Sequence, residues 1–222
     1  MIPQPQVPIP RPRRGLVRVV DDEPAILELF RQICQHEGLE LQAFPAAAPF
    51  LAALADDAPG CVVLDLNLPD RPGLEVLGAM AAAGCPLPVV CMSGRAGVHD
   101  AVAAFKLGSL DFVEKPFALD EIVGAIHRAI DTDRERRAHA GEQRELRARF
   151  QSMTRREREV MDLVVSGLPN KLIATRLGVS PKTVEVHRAH VMQKSRAGSL
   201  AELVRLSIAA GIAPTWREPV AG

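Results

Sequence analysis

Five short apolar runs alternate with stretches of helical periodicity between Leu16 and Ile130, and this alternation restricts the fold more than any other feature of the chain. The runs are LVRVV (16–20), LELQAF (39–44), CVVLD (61–65), LPVVCMS (87–93) and LDFVE (110–114). Between the first two, Ile26, Leu29, Phe30, Ile33 and Cys34 recur at helical spacing, and Ile122, Ile126 and Ile130 do so after the last. Continuous apolar runs of this length read as strands buried on both faces. Five strands alternating with five helices predict a doubly wound parallel α/β sheet, whose site lies at the carboxyl ends of the strands.

Those ends carry one kind of chemistry. Asp21 and Asp22 follow the first strand, Asp65 ends the third, Ser93 ends the fourth and Lys115 follows the fifth. A single Asp at a strand end is commonly a turn or helix cap, but suitable groups at four ends together point to a shared site. Adjacent carboxylates repel one another, and without a histidine or cysteine cluster they suit a hard cation. Mg²⁺ is the expected ion, with Mn²⁺ as its substitute, because Mg²⁺ takes one or two carboxylates and keeps several waters. Asp22 and Asp65 are the expected direct ligands, the backbone carbonyl of Asn67 a third, and Asp21 a ligand through water. Lys115 is a mobile point charge suited to a phosphoryl oxygen, and a metal-bound carboxylate facing it is suited to act as a nucleophile toward a phosphoryl donor. Asn67 and Arg95 flank the route of a hydrolytic water.

The formal net charge of zero hides a division. Residues 14–131 hold 17 acids against 8 Lys+Arg, a balance of −9, whereas 132–222 hold 10 acids against 17, or +7. An acidic domain joined to a basic one suggests that the second meets nucleic acid. The expected organisation is a Pro/Arg-rich tail (1–14), an α/β domain (15–131), a charged helical linker (132–150), an all-α four-helix domain (151–213) and a C-terminal tail (214–222). No apolar run approaches the roughly 20 residues of a transmembrane helix, so no membrane role and a cytoplasmic location are expected. The four cysteines form no CxxC pair, and Cys61 and Cys91 sit inside apolar runs as small hydrophobes.

In the second half, Thr154 with Glu157 and Ser199 with Glu202 read as capping boxes, and Ser180-Pro181 as an N-cap followed by proline at the first helical position. A helix over 170–177, a break at Gly178 and a helix from Pro181 to about Lys194 have helix-turn-helix spacing, which places the second helix in the DNA major groove. On that helix Val184, His187 and Val191 share a core face, and His187 is expected to be a satisfied core histidine. Lys182, Glu185, Val186, Ala189 and Gln193 form the stripe expected to face base edges, with Lys171, Arg188 and Lys194 as phosphate contacts.

The motifs VVDDE, LDLNLPDRPG, CMSG and DFVEKPF, in that order, resemble the receiver domain of two-component response regulators. TRREREV followed by GLPNKLIATRLGVSPKTVEVHR resembles the LuxR-type output domain, and together they resemble the FixJ/NarL architecture. The resemblance implies that Asp65 is the phosphoacceptor, Asp21 and Asp22 the acidic pair, Ser93 the switch hydroxyl, Phe112 the switch aromatic and Lys115 the phosphoryl-binding lysine, with Pro116 giving a cis-type turn. Ser93 stands where threonine is commoner in that family. Phe112 stands where tyrosine is common, so no inward phenolic hydrogen bond is available. Implied partners are a histidine kinase, duplex promoter DNA, RNA polymerase and a second copy of the chain, joined through the fourth helix and fifth strand on phosphorylation. A regulator of this kind is not an enzyme beyond its own phosphoryl transfer and slow autodephosphorylation. The rival reading is a Mg-dependent phosphatase or phosphotransferase with Asp65 as nucleophile. Such enzymes generally place a second acid two residues on, where this chain has Asn67.

Overall fold

The computed structural model describes residues 15–54, 58–94 and 98–212; Arg95, residue 213 and the two expected tails lie outside the described residues. The chain divides into two compact units, with the division after Arg137.

In the first unit the strands are β1 (Leu16–Val20), β2 (Glu40–Phe44), β3 (Gly60–Asp65), β4 (Val89–Ser93) and β5 (Asp111–Glu114). They form one sheet in the order β2-β1-β3-β4-β5, with every pairing parallel. The crossovers are α1 (Pro24–Glu37), α2 (Ala47–Ala53), α3 (Gly73–Ala82) and α4 (Val98–Lys106), and α5 (Leu119–Gln151) follows β5. This is the doubly wound sheet that the alternation predicts. β4 begins at Val89 rather than Leu87, because Pro86 and Pro88 have no N–H to give to a ladder.

The two-residue period of the strands divides the apolar side chains between two cores. Val17, Val19, Cys61, Val63, Val90 and Met92 pack with Phe30 and Ile33 of α1 and Ile122, Ile126 and Ile130 of α5. Val20, Val62, Leu64, Val89 and Cys91 point the other way, onto Phe50, Val76, Leu77, Met80 and Ala104. Burial holds the thiols of Cys34, Cys61 and Cys91 up to about 11, about 12 and about 11, so they remain unreactive thiols in the core.

The segment expected as a linker is helical, but its start is not solvated. Asp133 is buried, where its Oδ2 accepts from the Gly60 N–H at 2.9 Å and from Arg137 Nε at 2.8 Å. A carboxylate of α5 thus caps the first residue of β3, which accounts for one buried acid on an otherwise charged helix surface.

The second unit contains α6 (Arg155–Val165), α7 (Asn170–Leu177), α8 (Pro181–Ser195) and α9 (Leu200–Ala209) around a third core that includes Val160, Met161, Ile173, Val184, Val191 and Leu203. Thr154 and Glu157 form a complete capping box. Ser180 caps α8 through the Thr183 N–H. At α9 Ser199 accepts from the Glu202 N–H, but the Glu202 carboxylate takes the N–H of Gly198 instead of Ser199, so the expected box is shifted by one residue. Gly178, at φ 64°, ends α7 in the left-handed region, where a glycine carries no Cβ penalty.

Candidate functional site

The parallel sheet places β1, β3, β4 and β5 side by side with their carboxyl ends together. Lys115 Nζ lies 2.7 Å from Asp21 Oδ2, 2.7 Å from Asp65 Oδ2 and 3.0 Å from Glu23 Oε1. Burial opposes its charge, but the hydrogen bonds from Asp21, Asp65 and Glu23 outweigh that and hold Lys115 above the ordinary lysine range. The backbone fixes the other carboxylate oxygens: Asp21 Oδ1 accepts from the Glu23 N–H and Asp65 Oδ1 from the Asn67 N–H, each at 2.9 Å.

Asp21, Asp22 and Asp65 each offer a carboxylate oxygen within 4.8 Å of the others. Asp21 and Asp65 are buried and Asp22 is exposed. The site opens into a cavity of about 420 Å³ lined by Asp22, Glu23, Asp65, Asn67, Gly94 and Lys115. Three clustered oxygen donors beside an open cavity fit a small divalent cation that keeps some of its water.

The Lys115 N–H donates to the Ser93 carbonyl at 2.8 Å, which joins β5 to β4 at the site, and the Lys115–Pro116 peptide is cis. Asn67 Nδ2 donates to Ser93 Oγ at 2.8 Å. Phe112 is half-buried and packs against the core on the α3 and α4 side of the sheet. The sequence assigns Glu23 no role and places Asn67 beside the route of a hydrolytic water, without its carboxamide contact to Ser93. The third acid of VVDDE was a visible signal for the first, whereas the second depends on a contact 26 residues away.

Gly73 keeps the site compact. A Cβ there would stand 2.4 Å from the Asp65 carbonyl oxygen and 2.6 Å from Leu66 Cα, so glycine permits the start of α3 to close against the end of β3.

In the second unit Lys182, Glu185, Val186, Ala189 and Gln193 are all exposed along α8, while Val184 and Val191 are buried. His187 is half-buried and its Nδ1 has no hydrogen-bond partner among the described residues, contrary to the expected satisfied histidine. Lys171 is exposed, and Arg188 donates to Asn170 Oδ1 at 3.0 Å. Lys194 has a different environment. Its ammonium lies 2.6 Å from Oε2 of the buried Glu157 and 3.2 Å from the Ser152 carbonyl, so it anchors α8 to α6. Arg156 also turns inward, donating to the Leu177 carbonyl at the end of α7.

Two family models match the chain. Residues 17–127 match the response regulator receiver domain, and residues 151–207 match the bacterial regulatory proteins of the luxR family. The transcriptional regulatory protein FixJ of Azorhizobium caulinodans is 40% identical over 198 residues, which is 89% of this chain and 94% of that protein. The chain belongs to the FixJ-type response regulators. Solved structures agree. The response regulator StyR superposes with a TM-score of 0.80 at 35% identity, over 87% of this chain and 98% of that one. Full-length FixJ from B. japonicum gives a TM-score of 0.56 at 40% identity, over 90% and 98%. The regulator is therefore a phosphorylation-activated transcription factor with a receiver unit and a LuxR-type DNA-binding unit, and a histidine kinase and DNA are its implied partners. Its relatives are transcriptional regulators, and receiver domains generally bind Mg²⁺ through acidic residues such as those clustered here. No helix among the described residues is long and apolar enough to cross a membrane.

Proposed function

We propose that Asp65 is the residue that accepts the phosphoryl group. The observation that carries this reading is the meeting of Asp65 Oδ2 with Lys115 Nζ at 2.7 Å, inside a three-carboxylate cluster that opens into the cavity. Asp22, Asp65 and the Asn67 carbonyl would hold Mg²⁺ or Mn²⁺, with Asp21 acting through water. The bound ion offsets negative charge between the carboxylates and the incoming phosphoryl oxygens. Lys115 supplies a second positive charge to those oxygens, and Ser93 supplies a hydroxyl donor.

The switch consists of Ser93, Phe112, Lys115 and Pro116. Its output is homodimerisation through α4 and β5, where Val98 (81% exposed), Val102, Phe105 (51%) and Leu107 leave an apolar surface. In the second unit Lys182, Glu185, Val186, Ala189 and Gln193 face base edges, and Lys171 and Arg188 contact phosphates. Lys194 is assigned to positioning α8 rather than to DNA. RNA polymerase is the further partner of the promoter-bound dimer.

Incubation with a small acyl phosphate and Mg²⁺, followed by intact mass and oligomeric state, tests the reading. One phosphoryl group per chain and a dimer are expected, and EDTA or Asp65→Asn should abolish both. A stable adduct on Asp65→Asn would contradict the assignment.

A further inference from the structure

Asn67 makes two separate contacts at the site. Its backbone N–H donates to Asp65 Oδ1, and its side chain reaches across to β4, where Nδ2 donates to Ser93 Oγ at 2.8 Å. Ser93 is only 2% exposed. The cavity at the site is lined by Asn67 and by Gly94, the neighbour of Ser93 in sequence. The carboxamide thus holds the buried hydroxyl by an oxygen lone pair.

We propose that the Asn67 side chain is a positioning residue that restrains Ser93 before phosphorylation. The proposal rests on the reading of Ser93 as the hydroxyl that senses a phosphoryl group on Asp65. To reach a phosphoryl oxygen in the cavity, Ser93 leaves the carboxamide, so the Asn67 contact stabilises the unswitched arrangement relative to the switched one. A group that favours one of two conformations lowers the population of the other by the factor its contact is worth. For one hydrogen bond that factor is about two- to tenfold. Asn67 therefore acts on the same equilibrium as the phosphoryl group, in the opposite direction, and sets how much phosphorylation the switch requires.

The test uses the full-length chain and four variants: Asn67→Leu, which keeps the approximate side-chain shape without the donor, Asn67→Ala, Ser93→Ala and the Asn67→Leu/Ser93→Ala pair. Two quantities are read. One is the positions of the Ser93 and Gly94 backbone amide resonances before any phosphodonor is added, relative to their positions in the phosphorylated protein. The other is the rate of phosphorylation by a small acyl phosphate with Mg²⁺, followed by intact mass. In both Asn67 variants the Gly94 resonance should move part of the way toward its phosphorylated position, and phosphorylation should be about two- to tenfold faster. In the Ser93→Ala background the same Asn67 change should have no effect, because residues that act through one another are not additive. An acceleration that persists with Ser93→Ala would place Asn67 in direct contact with the phosphoryl group and overturn the proposal, as would resonances and rates unchanged in both single Asn67 variants. A wild-type chain that takes no phosphate on Asp65 would instead overturn the site reading, and the restraint with it.

Discussion

At the scale of single residues, Lys115 and Glu157 play matching parts in the two units, each a charged group held by oppositely charged neighbours. Lys115 binds Asp21, Asp65 and Glu23, and a phosphoryl group on Asp65 would compete for it. Lys115→Ala should still accept phosphate, at a reduced rate, but should form little dimer when phosphorylated; full dimerisation in that variant, measured by light scattering, would remove the lysine from the switch. Glu157 takes Lys194 and the Thr154 N–H, and the Lys194 hydrogen bond leads the causes that hold its carboxyl down at about 2. The folded value lies below the unfolded value of about 4.3. Its contribution to stability is therefore complete above about pH 4.3 and is lost as the pH falls toward 2. The thermal stability of the second unit in wild type should exceed that in Glu157→Gln by most at pH 5 and above, with the gap closing toward pH 2.5. A gap independent of pH would mean that the carboxylate charge is not what matters. The acids at strand ends and Lys115 were legible in the sequence because a doubly wound sheet brings strand ends together whatever the details. The role of Lys194 was not, because its partner lies 37 residues away on another helix, and a lysine on a basic helix looks the same whether it meets DNA or a buried glutamate.

Among the elements, the β3–α3 connection and α8 decide most of the function. Gly73→Ala would force a Cβ against the backbone of Asp65 and Leu66, at a cost of about 1–3 kcal/mol for overpacking. It should lower the melting temperature of the first unit and slow phosphorylation together; wild-type behaviour in both would show that the loop gives way easily. The exposed stripe of α8 and the residues proposed to contact phosphates, Lys171 on α7 and Arg188 on α8, should separate in titrations at two salt concentrations. Lys171→Ala and Arg188→Ala should weaken binding to all duplexes and reduce the salt slope by about one unit each. Changes at Glu185 or Val186 should alter base preference by about 1–3 kcal/mol per lost contact. Uniform weakening by all four would contradict the assigned faces. Most element positions followed from periodicity and caps. The linker expectation missed Asp133 because a charged helix surface conceals one acid whose partner, the Gly60 N–H, lies 73 residues earlier. The Ser199 box shifted locally, since the Glu202 carboxylate accepts from the N–H of Gly198, one residue earlier than expected.

For the whole molecule, the division of charge corresponds to a division of work. The acidic unit gathers carboxylates around a phosphoryl site, and the basic unit presents its recognition helix to a polyanion. Two DNA-binding units joined in a dimer gain from an effectively intramolecular second contact, which is how a single phosphoryl group on the first unit would be felt at DNA. The most direct measurement is fluorescence anisotropy of full-length wild type and Asp65→Asn on a duplex selected from a random pool by the full-length protein, before and after treatment with acyl phosphate and Mg²⁺. The wild type should bind at least about tenfold more tightly after treatment, and Asp65→Asn should not change. Equal tightening of both proteins, or of neither, would contradict control of DNA binding through Asp65.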